Sequence, residues 1–199
     1  MRSVTCVSLS EKRNGGIMKK LSRVLSGIAA CACAFCMFAG SASAKLPENM
    51  DEFNAKFATE AKTPEGAVKL WLEAAFLYQD SATRNLGRNM LLKMMKNLPQ
   101  DFERNSVHAT MVDRIKNLPE VQRSFCAGSS PENNYKADPN NCELTISKSK
   151  EGFEDGYWNV FLISSGADSP RQVTLYKDGD HWIVSSAAAL YMSIKPAKK

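Results

Sequence analysis

The chain has 199 residues, with 26 Lys and Arg against 21 Asp and Glu, and six cysteines. Residues 1–44 hold six of the basic residues, one of the acids and four of the cysteines, so the remainder carries twenty charges of each sign. A near-neutral remainder removes the electrostatic case for nucleic-acid binding and indicates no dominant partner charge.

The first 44 residues read as export machinery. From Met18, a basic start (Lys19, Lys20, Arg23) leads into a weakly apolar stretch and ends at Ala42-Ser43-Ala44, a small-x-small cleavage site. We expect a signal peptide over 18–44, cleaved after Ala44, and a non-native upstream extension over 1–17. A retained anchor would need about 20 strongly apolar residues, whereas this run is rich in Ala, Ser, Gly and Cys. No stable membrane span is expected after cleavage, and lipid attachment at Cys31 is the other competing reading. The expected location is outside the cytoplasm, periplasmic or extracellular.

About 155 residues then remain, enough for one domain that buries roughly two thirds of its unfolded surface. Residues 45–62 are a polar lead-in in which Phe53 and Phe57, one helical turn apart, could dock a short helix. Thr63-Pro64-Glu65 is the clearest start signal: an N-cap hydroxyl, a proline whose missing N–H is not needed, and an acid at the positive helix end. The pattern predicts a mostly buried helix over 64–79, with only Lys69 and Glu73 forming a polar strip.

A second helix, over about 82–97, combines an apolar arc (Leu86, Met90, Leu91, Met94, Met95) with a basic face of Arg84, Arg88, Lys93 and Lys96. That face reads as solvated or as a seat for an anion. The tetrapeptide KNLP closes a helical pattern at 96–99 and again at 116–119, marking turns around further helical pieces at 106–116 and 119–125.

Cys126 and Cys142 bracket a polar loop. In an oxidising compartment they read as a disulfide before a metal pair or a nucleophile. Closing that loop is worth roughly 3 kcal/mol in the chain-entropy model. Beyond it the period becomes alternating, with strands predicted over 144–147, 157–164, 171–176, 181–186 and 190–194. Asp178-Gly179 at the centre of a tight turn would pair Leu175 with Trp182 and Val173 with Val184, placing all four on one face. Helices first and strands afterwards predict an α+β fold: three or four N-terminal helices on an antiparallel sheet of four to five strands. The domain is expected to span 63–196.

Catalytic signatures are sparse. GxSxG, HExxH, GxxxxGK[ST] and GxGxxG are absent from the sequence. The two histidines, His108 and His181, fall on a predicted helix and beside the hairpin turn. The acids at Asp178, Asp180, Glu151, Glu154 and Asp155 lack calcium-loop spacing, and turn chemistry already explains Asp-Gly. No metal or cofactor is expected.

Two segments, TPEGAVKLWLEA (63–74) and VTLYKDGDHWIV (173–184) with SIKP at 193–196, resemble the first helix and last hairpin of the nuclear transport factor two-like, cystatin-like α+β cone superfamily. They are closer still to a domain of unknown function in bacterial exported proteins. The resemblance implies a curved sheet around helices, with a pocket between the long helix and the concave face. Trp71, Tyr78, Trp158 and Trp182 are its candidate lining. The superfamily includes isomerases, dehydratases and silent binding modules, so fold alone does not choose. The leading expectation is a non-enzymatic binding or interaction module whose partner is a small apolar ligand or an envelope protein. The alternatives are a cone-type enzyme using His108 or a carboxylate, and a structural envelope component.

Overall fold

A threonine hydroxyl sets where the longest helix begins. The computed structural model describes residues 45–198; the expected extension, signal segment and cleavage point at Ala44 lie outside the described residues. Thr63 Oγ1 accepts the Gly66 N–H at 3.1 Å, and helix α2 runs Pro64–Gln79. Just before it, Asn49 caps helix α1 (Met50–Glu60) by accepting from the N–H groups of Asp51 and Glu52. The polar lead-in is therefore helical. Phe53 is buried in the core, and the Phe57 ring lies 6.1 Å from it.

Helix α2 is buried at every residue from Leu70 to Tyr78 because it is packed on both sides. The sheet packs against it, and so do α1, α3 (Arg84–Met94), α4 (Ala109–Asn117) and α5 (Pro119–Arg123). Gly87 lets α3 close on the end of α2, since a Cβ there would stand 2.2 Å from the Tyr78 nitrogen. Among the described residues there are five α-helices, more than the three or four expected, because the lead-in supplies one.

The second predicted helix ends early, for a reason of pairing. Met95 leaves the helix with extended dihedrals and bridges to Val184, and the Lys96 N–H donates to Val184 O at 2.8 Å. These residues cover an edge of the sheet that would otherwise present open backbone groups.

The sheet has four antiparallel strands in the order β1 (Ile146–Glu151), β2 (Tyr157–Leu162), β3 (Arg171–Asp178) and β4 (His181–Ser186). Val160, Leu162, Val173, Leu175 and Val184 are fully buried in the core shared with α2. The β3–β4 register differs from expectation: Leu175 opposes Val184 and Lys177 opposes Trp182. The turn residues are Gly179 and Asp180, with the positive φ (+58°) at Gly179, the first position, as glycine takes in a type II′ turn.

The strand expected at 144–147 starts later, because Leu144 bridges to Cys126 instead. The strand expected at 190–194 does not form. Residues Ala188–Tyr191 make a 3-10 turn that buries Leu190, and the edge a fifth strand would join is already met by Met95 and Lys96.

Cys126 and Cys142 sit at disulfide distance, with Cα atoms 4.7 Å apart. The loop between them is also held from inside. Tyr135 is 1% exposed and donates its hydroxyl to Lys195 O at 2.7 Å.

Candidate functional site

The last four residues of the cysteine loop, 139–142, lie against α2 and create two neighbouring clefts of about 530 Å³ each. Phe76 and Pro139 line both. Phe76 is 6% exposed, so the shared wall is the edge of the core itself.

The first cleft uses α2 residues 65, 69, 72, 73 and 76, a helical stripe, and faces them with Cys142, Glu143, Leu144 and Ile146. Leu72, Phe76, Leu144 and Ile146 make it apolar. Its charged groups are Glu65, Glu73, Glu143 and Lys69.

Glu73, half of the polar strip on this mostly buried helix, is only 5% exposed. The Lys56 ammonium, brought across by α1, donates to its two carboxylate oxygens at 2.7 and 2.6 Å. Lys69 lies 3.9 Å from Glu73 and 3.3 Å from Glu60. Burial pushes the Glu73 carboxyl above its ordinary 4.5; the hydrogen bond and charge of Lys56 pull the other way without cancelling it. At the cleft's other end, Ser149 Oγ donates to Glu65 and accepts the Trp158 Nε1–H at 2.7 Å.

The second cleft lies at the C-terminal end of α2. Leu46, Leu77 and Pro119 supply apolar walls, and Asp80, Lys116 and Arg123 supply charge. Most of its other polar groups are committed within the fold. Thr83 Oγ1 donates to Leu77 O at 2.8 Å, Gln79 Nε2 to Ile115 O at 3.1 Å, and Asn140 Oδ1 accepts the Leu46 N–H at 3.0 Å.

The aromatic residues singled out from sequence lie elsewhere. Trp71, 2% exposed, and Tyr78, fully buried, fill the core. Tyr78 donates its hydroxyl to Glu103 at 2.6 Å, and burial followed by that carboxylate raises its pKa. Trp158 and Trp182 are half-buried, with ring centroids 6.0 Å apart. None of the four lines either cleft; Trp158 reaches the first one through Ser149.

His181 stacks on Phe57 at 4.9 Å, His108 precedes α4, and neither lines a cleft. Among the described residues, no group of three or more His, Cys, Asp or Glu could hold a metal ion.

The basic face of α3 is tied into the protein. Arg84 donates to the Tyr78 and Gln79 carbonyls, which end α2, and Arg88 pairs with Glu103 at 3.3 Å. Lys93 donates to Asn54 at 2.6 Å, and Lys96 donates to the Tyr157 hydroxyl while standing 3.4 Å from the Tyr176 ring centroid. What sequence missed is the Lys56–Glu73 pair, although a lone acid inside LWLEAAFLY was the available signal.

Fold and clefts together define an α+β protein whose longest helix is buried between sheet and helices and forms one wall of both clefts. The family model for a domain of unknown function, DUF6935, matches residues 45–198, and the chain belongs to that family. The match takes in α1 as well as the predicted 63–196 core. No curated protein and no solved structure matches the chain.

Proposed function

We propose that the protein is an exported, non-enzymatic binding module whose ligand lies in the first cleft, between α2 and the end of the disulfide-tied loop. The observation that carries this reading is the cleft itself: about 530 Å³, apolar on both walls and bounded at Cys142 by the disulfide. A concave apolar site with a few placed polar groups is the usual form of a small-molecule site. Lys56 offsets Glu73 from behind, which leaves Glu65 and Glu143 against Lys69. The ligand class that matches is a small apolar molecule bearing a positive group.

Export rests on the N-terminal pattern, and among the described residues no helix is long and apolar enough to cross a membrane. The α+β cone resemblance belongs to the same proposal, supported by a sheet packed along one long helix.

Titration with hexylammonium tests the reading. The backbone amides of Leu72, Leu144 and Ile146 should shift saturably, hexanol should bind at least about tenfold more weakly, and reducing the disulfide should weaken hexylammonium binding. Equal binding of the two probes, or binding indifferent to reduction, would refute it.

One observation favours a second reading, an isomerase- or dehydratase-like enzyme. Glu73 is a buried carboxylate at a cleft, with its proton affinity raised by burial, the environment that tunes general acids. Against this, Lys56 donates to both of its oxygens, leaving little room for a substrate proton.

A further inference from the structure

We infer that the second cleft is a separate binding site, for a small apolar carboxylate. Arg123 carries the argument. Its Nε is buried and meets no acceptor among the described residues; the Ser129 hydroxyl donates to its backbone carbonyl at 2.6 Å, which leaves the guanidinium itself unengaged. Buried polar atoms without a partner also occur on Trp71, Gln122, Arg171 and His181. Of these five residues, Arg123 alone lines either cleft.

Buried donors in folded proteins are nearly always met by an acceptor. The buried Nε shows that the chain supplies this guanidinium with no acceptor on that side; because Arg123 also lines the cleft, its outer N–H groups are the ones an acceptor from outside the chain would meet.

The surroundings select the ligand. Lys116, on the same cleft, likewise has no ion-pair partner among the described residues. The acid beside these two cations is Asp80, whose Oδ1 accepts the Ala82 N–H at 2.9 Å. The lining thus holds one net positive charge, which suits a monoanion better than a dianion. The planar fork of an arginine matches a carboxylate in two parallel hydrogen bonds. Leu46, Leu77, Phe76 and Pro119 give the rest of the ligand an apolar seat. Elsewhere the basic side chains of α3 are engaged inside the fold, so two unengaged cations facing one cavity stand apart from that pattern.

The site is independent of the proposed function, because the two clefts share only Phe76 and Pro139. The probe is hexanoate, compared with hexanamide and inorganic phosphate, titrated into the protein while backbone amides are followed by NMR. Hexanoate should saturably shift the Leu77, Thr83, Lys116 and Arg123 amides, with hexanamide and phosphate each at least about tenfold weaker. Arg123→Gln should raise the hexanoate Kd at least about tenfold, Arg123→Lys less, and Lys116→Gln should reduce its salt dependence.

Equal affinity for hexanoate and hexanamide would overturn the site as an anion site, and phosphate binding as tightly as hexanoate would overturn the carboxylate assignment. Unchanged hexanoate binding in folded Arg123→Gln would overturn the role of Arg123. Mapping on the unsubstituted protein keeps the proposal open to refutation even where a variant does not fold. Failure of hexylammonium at the first cleft would leave this result unaffected.

Discussion

Two clefts of equal volume meet at Phe76 and Pro139, but they treat charge in opposite ways. At the first, the deepest charge, Glu73, is answered from within by Lys56, which leaves Glu65 and Glu143 against Lys69. At the second, Arg123 and Lys116 meet no charged partner among the described residues, and one buried N–H is left over. On the two proposals above, a charge that holds the fold differs from one that awaits a ligand in what surrounds it. The first kind is matched by the element packed against it, whereas the second faces a cavity unmatched.

The strongest way to break the comparison is at the common wall. Phe76→Ala should lower stability by about 3–5 kcal/mol, as expected for truncating a buried aromatic, and should weaken both hexylammonium and hexanoate. Denaturant titration gives the first number and amide mapping the second. If only one probe is affected, Phe76 is not a shared wall in function.

Replacing Cys126 and Cys142 together by serine should cost about 3 kcal/mol for a loop of this size. Cys142 lines the first cleft and not the second, so hexylammonium should lose more affinity than hexanoate. Equal losses would mean that the loop positions both clefts alike.

Gly87→Ala should cost about 1–3 kcal/mol by overpacking, since its Cβ would meet the Tyr78 backbone at 2.2 Å. The strain falls where α3 meets the end of α2, beside Asp80 and Thr83. Hexanoate binding should therefore weaken while hexylammonium binding holds.

The smallest effect is in pH dependence. Burial holds the Glu73 carboxyl above 4.5 in the folded state, so the folded chain keeps this proton to a higher pH than the unfolded one. Its contribution to stability is full below the unfolded value and declines as pH rises through the folded one. The stability of Glu73→Gln relative to the unsubstituted protein should thus improve from about pH 4 to about pH 7. A trend in the other direction would show that Lys56, not burial, governs the pair.

How much of this was legible in the sequence varied with how local the cause was. The bounds of α2 are written in Thr63-Pro64-Glu65 and in an unbroken apolar run, and the structure reproduces both ends. In the β3–β4 hairpin the face was legible from alternation, but the pairing was not. Asp178-Gly179 and Gly179-Asp180 are both acceptable two-residue turns, and only the backbone chooses between them. The partner of Glu73 was not legible because a helical projection sees one helix at a time, and Lys56 arrives from α1.

The clefts were legible least of all. Each is assembled from α2 and residues around 140, about sixty or more positions away, in a loop closed by Cys126 and Cys142 and anchored through Tyr135 to Lys195. Arg123 looked like any other basic residue; its unmet N–H is a property of three-dimensional burial.

The central claim is that one wall separates a cation-preferring cleft from an anion-preferring one, and paired titration of the same protein with hexylammonium and hexanoate tests it most directly. Two separate sets of shifted amides are expected, Leu72, Leu144 and Ile146 for the first probe and Leu77, Thr83, Lys116 and Arg123 for the second, with neither probe displacing the other. A single set moved by both probes, or hexanoate seated against Glu143 and Lys69, would contradict it.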